Sequence, residues 1–369
     1  MGERPVRRFN TRGLCVPGRH YMVDITSRVD TVTRTLIQPG EYFVINRARQ
    51  YGKTTMLRAI REHITTLGYL PIHLSFEGKE ELFDSRSVFA QGFVRLAEQQ
   101  LQKIRPDLAG RYPAAGDPDL AFADLHDWIT TICHEAGSPV VLIIDEVDKA
   151  SNYDVFASFL GLLRDKYLAR LDDETPTFHS VILAGVHDIK NLRRRIRPDS
   201  AHVLNSPWNI AAPFTLDMAF SPDDIATMLR SYEADHATGM DIPALAKDVR
   251  YYTQGYPFLV SRLCQILEEE ALPWDGLGLQ GAVTCLLREH NTLFDDLIKN
   301  IENNAELTTL CERLLIDGQT LPATPYDPTI EMASRYGILT ERAGRLAVTN
   351  PLFETLIYGY LTAPSPDLA

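Results

Sequence analysis

The chain has 369 residues, enough for two or three domains, and its 45% hydrophobic and 23% charged content is that of an ordinary globular protein. A net charge of -12 excludes a protein whose whole surface wraps nucleic acid, though not a local basic patch. No apolar run reaches membrane-span length, no signal-peptide core follows Met1, and the five scattered cysteines read as reduced thiols, so no membrane partner, no zinc site and a cytoplasmic location are expected.

Residues 1–22 open basic and glycine-rich, with Arg4, Arg7, Arg8 and Arg12 ahead of Gly18-Arg19-His20-Tyr21. Two readings stay open there: a solvated tail, or a segment in which Tyr21 covers a purine base. A polar helix is expected from Ile25 to Ile37, closed by Gln38-Pro39-Gly40. The stretch that organises the chain comes next. An apolar strand, Tyr42-Phe43-Val44-Ile45, runs through Asn46-Arg47-Ala48-Arg49-Gln50-Tyr51 into Gly52-Lys53-Thr54-Thr55. An amphipathic helix follows, with Met56, Leu57, Ile60, Ile64 and Leu67 on one face and Gly68 as its stop.

Strand, loop, Gly-Lys-Thr and helix in that order is the layout of a phosphate-binding loop. Amides at a helix N-terminus lack intrahelical acceptors and stand at the positive end of the helix dipole, so they hold a polyanion. In this reading Arg49, Gln50, Tyr51, Gly52, Lys53, Thr54 and Thr55 cradle a nucleotide. Gly52 permits close approach, Lys53 reaches the outer phosphates, and the Thr54 hydroxyl takes one position on magnesium. The pattern G-x-x-x-x-G-K-[ST] wants glycine where Arg47 stands, so a chance tripeptide at a helix start is the competing reading.

Leu70, Ile72, Leu74 and Phe76 alternate with Pro71, His73 and Ser75 and predict a strand with Pro71 near its start; helices are expected over about Ser87 to Ile104 and Leu120 to Glu135, with a proline- and glycine-rich loop over Arg105 to Asp119. Trp128 reads as core rather than a ligand platform. Then Pro139-Val140-Val141-Leu142-Ile143-Ile144-Asp145-Glu146-Val147-Asp148 gives the uninterrupted apolar run of a strand buried on both faces of a parallel sheet. Ligands of open α/β sheets sit beyond the carboxyl ends of the strands. Asp145 is placed there to hold magnesium, and Glu146 to polarise the water that attacks the terminal phosphate. Lys53 and Glu146 are the candidate catalytic pair; a charged turn with Asp capping the next helix is the plainer alternative.

A helix carrying Phe156, Phe159, Leu160, Leu163 and Tyr167 leads to the strand Ser180-Val181-Ile182-Leu183-Ala184-Gly185. His187 and Asp188 at its tip are phosphate sensors or loop residues facing water. Arg193, Arg194, Arg195 and Arg197 admit three readings: a solvated loop, an arginine reaching phosphate in its own or a neighbouring subunit, or a nucleic-acid patch. Phe214-Thr215-Leu216 is expected to be the last core strand. Ser221-Pro222-Asp223-Asp224 is a strong helix start, and helices fill the region to about Phe294, two of them joined at Gly255-Tyr256-Pro257.

The tail from about Glu306 predicts a helix to Ile316, a proline-rich turn, a second helix to Tyr336-Gly337, a hairpin around Glu341 to Arg345, and a last helix from Asn350-Pro351. Helices followed by a hairpin give a winged-helix outline. From Asn291 to Ala369 eleven acids face five bases, which disfavours DNA and suits a lid or a protein-contact surface.

Taken together, Asn46 to Thr55, Ile143 to Asp148, Ile182 to Val186, Asn205 to Ile210 and Gly255-Tyr256-Pro257 resemble the bacterial AAA-like ATPases, P-loop proteins close to the AAA+ and STAND groups. The resemblance runs from about Phe9 to Tyr360, and in such proteins arginine often stands ahead of the Gly-Lys. It implies ATP, Pro257 near the adenine, and helical and winged-helix regions that close over the nucleotide. The expected organisation is an α/β P-loop core with a parallel sheet over 1–218, a helical lid over 219–295 and a winged-helix-like domain over 296–369. The expected function is a regulatory switch that binds ATP and magnesium, hydrolyses slowly, and works through a protein partner or self-association. A non-catalytic nucleotide-binding scaffold and an ATPase assisting a DNA transaction are the rivals.

Overall fold

The computed structural model describes residues 7–110, 122–150, 153–172, 175–186, 207–324 and 326–363. The chain divides into two compact units: a sheet unit of Thr26–Asn46 with Met56–Leu216, and a helical unit of Met1–Ile25, Arg47–Thr55 and Asp217–Ala369. His187, Asp188, the arginines at 193–197, Asn205, Ser206 and residues 111–119 of the expected loop lie outside the described residues.

Two short strands, β1 (Arg8–Phe9) and β2 (His20–Tyr21), pair in parallel at the start of the helical unit. The sheet unit begins with α1 (Thr26–Val32), which continues into a π turn over Thr33–Ile37. Then come β3 (Tyr42–Asn46), α2 (Lys53–Thr66), β4 (Leu70–Ser75), α3 (Arg86–Ile104), α4 (Phe122–Glu135), β5 (Val140–Asp145), α5 (Tyr153–Leu171) and β6 (Ser180–Gly185). Strands separated by helices return in the same direction, and all four are parallel, in the order β3-β6-β5-β4. Every residue of β5 and β6 is buried, including the polar Asp145 and Ser180 at their ends, in keeping with the apolar runs between.

An aromatic cluster of Phe76, Phe83, Phe89, Phe93, Phe156 and Phe159 is buried in the core of the sheet unit. Trp128 joins it, fully buried, its indole N–H donating to Glu98 Oε1 at 3.2 Å.

The expected strand Phe214-Thr215-Leu216 does not form. Ala212 makes an isolated parallel bridge to Phe43, and its N–H donates to the Tyr42 carbonyl at 2.8 Å. Pro213 follows and has no N–H to continue the ladder. The Phe214 ring instead stacks on Phe43, with centroids 6.0 Å apart and planes 5° apart.

The helical unit continues with α6 (Pro222–His236), α7 (Ile242–Thr253), α8 (Pro257–Glu269), α9 (Gly276–Leu287), α10 (Thr292–Glu302), α11 (Ala305–Leu315) and α12 (Pro328–Arg335), then the hairpin β7 (Leu339–Arg342) and β8 (Arg345–Val348), and α13 (Pro351–Thr362). α6 starts in a full capping box: Ser221 Oγ accepts from the Asp224 N–H at 3.1 Å, and the Asp224 carboxylate accepts from the Ser221 N–H at 2.7 Å. The hairpin turns on Ala343 and Gly344, both at positive φ, the geometry that matches the twist of its strands. Leu229, Val249, Leu259, Leu263, Ile301 and Phe353 anchor this unit's core.

Candidate functional site

The candidate site residues fall in both units. In the sheet unit, β3, β6 and β5 run parallel, so Asn46, Gly185 and Asp145 end at one edge. Asp145 is 4% exposed, and its Oδ1 accepts from the Glu146 N–H at 2.9 Å. Glu146 stands at φ 55°, in the left-handed region, where a non-glycine residue costs energy unless its surroundings impose it. A short 3-10 turn, Val147–Lys149, follows.

Asp148 had no assigned role in the sequence, yet its Oδ2 accepts from the Val186 N–H at 2.5 Å and ties the β5 tip to the end of β6. Gly185 makes this approach feasible, because a Cβ there would lie 2.6 Å from Asp148 Oδ1 and 2.9 Å from Val147 Cγ2. The glycine after the apolar run was the available signal.

In the helical unit, the loop Arg47–Thr55 feeds the first turn of α2. Gln50 and Gly52 both adopt positive φ, 55° and 80°. Two residues in three at positive φ turn the loop sharply ahead of the helix N-terminus. Lys53 is 6% exposed, and its ammonium donates to the carbonyls of Arg47 and Ala48, each at 3.1 Å. Pro257 meets Gly52, 3.9 Å from where a Cβ would stand, so the loop and the Gly-x-Pro corner are brought together. Tyr51 packs edge-on against Tyr256 with centroids 4.7 Å apart, and the Tyr256 hydroxyl donates to the Arg49 carbonyl. Burial pushes both phenols up.

Arg47 is half-buried where the general motif has glycine; burial lowers its pKa, and Tyr51 and Asp217 oppose that. The Arg49 guanidinium pairs with Asp296 at 2.6 Å, and the Gln50 amide donates to Thr292 Oγ1 at 2.8 Å. Thr54 is exposed, while Thr55 Oγ1 accepts from the Cys15 N–H at 3.3 Å.

Tyr21 is in the same unit but in its core, 2% exposed. Its ring lies between Phe9 and Tyr232, with centroids 5.1 and 5.0 Å away, and its hydroxyl reaches Asp235 Oδ2 at 2.9 Å. Burial and Asp235 push the phenol up to about 12. A ring so enclosed has no face left for a base, so the purine role does not carry over to it.

A loop of this shape between a strand of a parallel sheet and a helix N-terminus is the framework of a P-loop protein. The profile of a family described as AAA-like domain matches residues 19–355. The chain belongs to that AAA-like family. The comparison with curated proteins finds no match. Among solved structures, the Walker-type ATPase of Pyrococcus abyssi is similar with a TM-score of 0.60 at 12% identity, over 95% of this chain and 99% of that one. The ORC2 protein of Aeropyrum pernix, in ADPNP and ADP complexes, gives 0.41 at 11% identity, over 92% and 95%. A RuvB mutant of Thermotoga maritima gives 0.41 at 12%, over 93% and 96%. At such identities the likeness is one of fold.

Taken separately in each unit, the donors of this AAA-like chain are of the kinds a magnesium nucleotide takes: the Lys53 ammonium and the α2 amides suit phosphate, and the Thr54 hydroxyl, like the Asp145 carboxylate, suits a hard cation. Among the described residues no three His, Cys, Asp or Glu side chains form an all-protein metal cluster. None of their helices is long and apolar enough to cross a membrane.

Proposed function

We propose that the protein is a magnesium-dependent ATPase that binds ATP, hydrolyses it slowly and uses the bound state as a switch. Support comes from the sheet order. β3, which leads into the loop, and β5, which ends at Asp145 just before Glu146, end at the same edge with only β6 between them. In this reading Arg49, Gln50, Tyr51, Gly52 and Thr55 line the phosphate and ribose path with their backbone, and Lys53 turns from its own loop carbonyls to the outer phosphates. Thr54 and Asp145 are the residues that would hold magnesium, which would offset phosphate charge. Glu146 orients water; its left-handed backbone is a strain of about 1 kcal/mol or more, of the kind functional sites retain. Pro257, which lies against Gly52, would border the adenine in this reading.

The division into a core over 1–218, a lid over 219–295 and a winged-helix-like tail over 296–369 remains part of this proposal. Its second cut moves to the turn before Asn291, since 296 lies inside α10. A protein partner or self-association would read out the switch.

Calorimetry and radiolabelled ATP test the assignment. Lys53→Ala is expected to lose nucleotide binding. Glu146→Gln is expected to keep binding while hydrolysis falls by about 100-fold. Unchanged affinity in the first variant, or equal and magnesium-independent rates in the second, removes the reading.

A further inference from the structure

The outer half of the phosphate loop is fastened to one face of α10, all within the helical unit. Thr292, Asp296 and Lys299 stand at helical spacings of four and three, so they share that face. The Gln50 amide donates to Thr292 Oγ1 at 2.8 Å, and the Arg49 guanidinium lies 2.6 Å from Asp296 Oδ2. Asn291 fixes where the face begins, its Oδ1 accepting from the Phe294 N–H at 3.0 Å. Beside these contacts a cavity of ≈ 190 Å³ is lined by Arg49, Gln50, Thr292, Asp295, Asp296 and Lys299.

The loop is held from behind as well. Ala48 is 5% exposed in the helical core, and a Cβ on Gly337 would lie 2.9 Å from its own Cβ. Gln50 keeps φ at 55°, a conformation its side chain would not choose unaided, and its amide is the group that Thr292 holds.

We propose that Thr292 and Asp296 are positioning residues for the phosphate loop. They hold Gln50 and Arg49 so that the loop amides keep their aim, and α10 thereby sets nucleotide affinity without touching nucleotide. The affinity part rests on the ATP-binding reading above. The Arg49 side chain is 64% exposed, so the ion pair is weak and salt-sensitive, and the Thr292 hydrogen bond carries the larger share.

The test uses the full chain. Hydrogen exchange of the segment 46–55 is followed without nucleotide, and a ribose-labelled fluorescent ATP analogue is titrated separately. In the Thr292→Ala, Asp296→Ala double variant the loop amides are expected to exchange roughly fivefold faster, with a similar loss of affinity for the analogue. Protection of α11 is expected to stay as in the wild type. Thr292→Ser with Asp296→Glu is expected to restore both readouts, which a purely volume-filling role would not require. Unchanged loop exchange overturns the proposal, and so does acceleration spread equally through α11 and α13. Because the exchange is read without nucleotide, it decides the positioning claim even where Lys53→Ala shows that the loop does not bind ATP.

Discussion

Gly255 shows how little space the helical unit leaves at the corner before α8. Its φ is 74°, and a Cβ there would lie 2.2 Å from the Phe220 carbonyl oxygen and 2.6 Å from the Phe220 nitrogen. Both obstacles are backbone, so neither can rotate away, and the Phe220 N–H already donates to the Gly255 carbonyl at 2.9 Å. Gly255→Ala is therefore expected to destabilise by about 3 kcal/mol, read as a lower urea midpoint. A variant within error of wild type would contradict the packing described. The thiols separate by the same logic of enclosure. Cys264 and Cys311 are buried, and burial pushes both up to about 12, whereas Cys285 is exposed. An aromatic disulfide reagent at about pH 8 is expected to label Cys285 first and to reach Cys264 and Cys311 only after denaturation.

Element by element, the readable parts were those whose local chemistry and tertiary fate agree. The continuous apolar run of β5 read as a doubly buried strand and that of β6 as a strand, and Ser221-Pro222-Asp223-Asp224 carries its whole helix start in four residues. Phe214 to Leu216 misled because its apolar character reflects stacking on Phe43, while Pro213 ends the pairing. The hold on the phosphate loop was illegible, since Arg49 and Asp296 lie 247 residues apart and each looks like an ordinary surface charge. Lys166 was missed for a related reason: a lysine on α5 reads as solvent-facing, yet it is fully buried, with Nζ donating to Thr130 Oγ1 on α4 at 2.6 Å. Burial lowers its pKa, so the helix pair bears the cost of enclosing an ammonium. Thr130 keeps its own acceptor, the His126 carbonyl at 3.0 Å. Lys166→Met is accordingly expected to leave the melting temperature unchanged or to raise it; a clear fall would mean that the Lys166–Thr130 bond outweighs the desolvation cost.

At the scale of the whole molecule, the chain does not fold as consecutive blocks. The loop Arg47–Thr55 is bounded on both sides by sheet-unit segments, yet groups with the C-terminal helices. Local patterns show where an element starts and not which unit will bury it, so this grouping of the loop was not legible in chain order. One global property follows from groups that no motif marked. His73 on β4 and His179 just before β6 are both pushed down from their ordinary value, chiefly by burial. Arg61 lowers His73 further and Asp145 opposes; the Ile37 carbonyl, 2.8 Å from His179 Nε2, opposes there. Below about pH 6.5 the unfolded chain takes up protons that the folded chain refuses at these sites, so stability falls with falling pH. The depressed carboxyls Glu233 and Asp235 start from ordinary values of 4.5 and 3.8, so their losses come in more acid. Glu268 acts the other way: burial raises it, and protonation favours its folded state. The difference between wild type and His73→Gln isolates one histidine from that balance. Moving from about pH 7.5 to about pH 5.5, the wild type is expected to lose more of its urea midpoint than the variant does. Equal losses in the two proteins would show that His73 is solvated and titrates alike in the folded and unfolded chain.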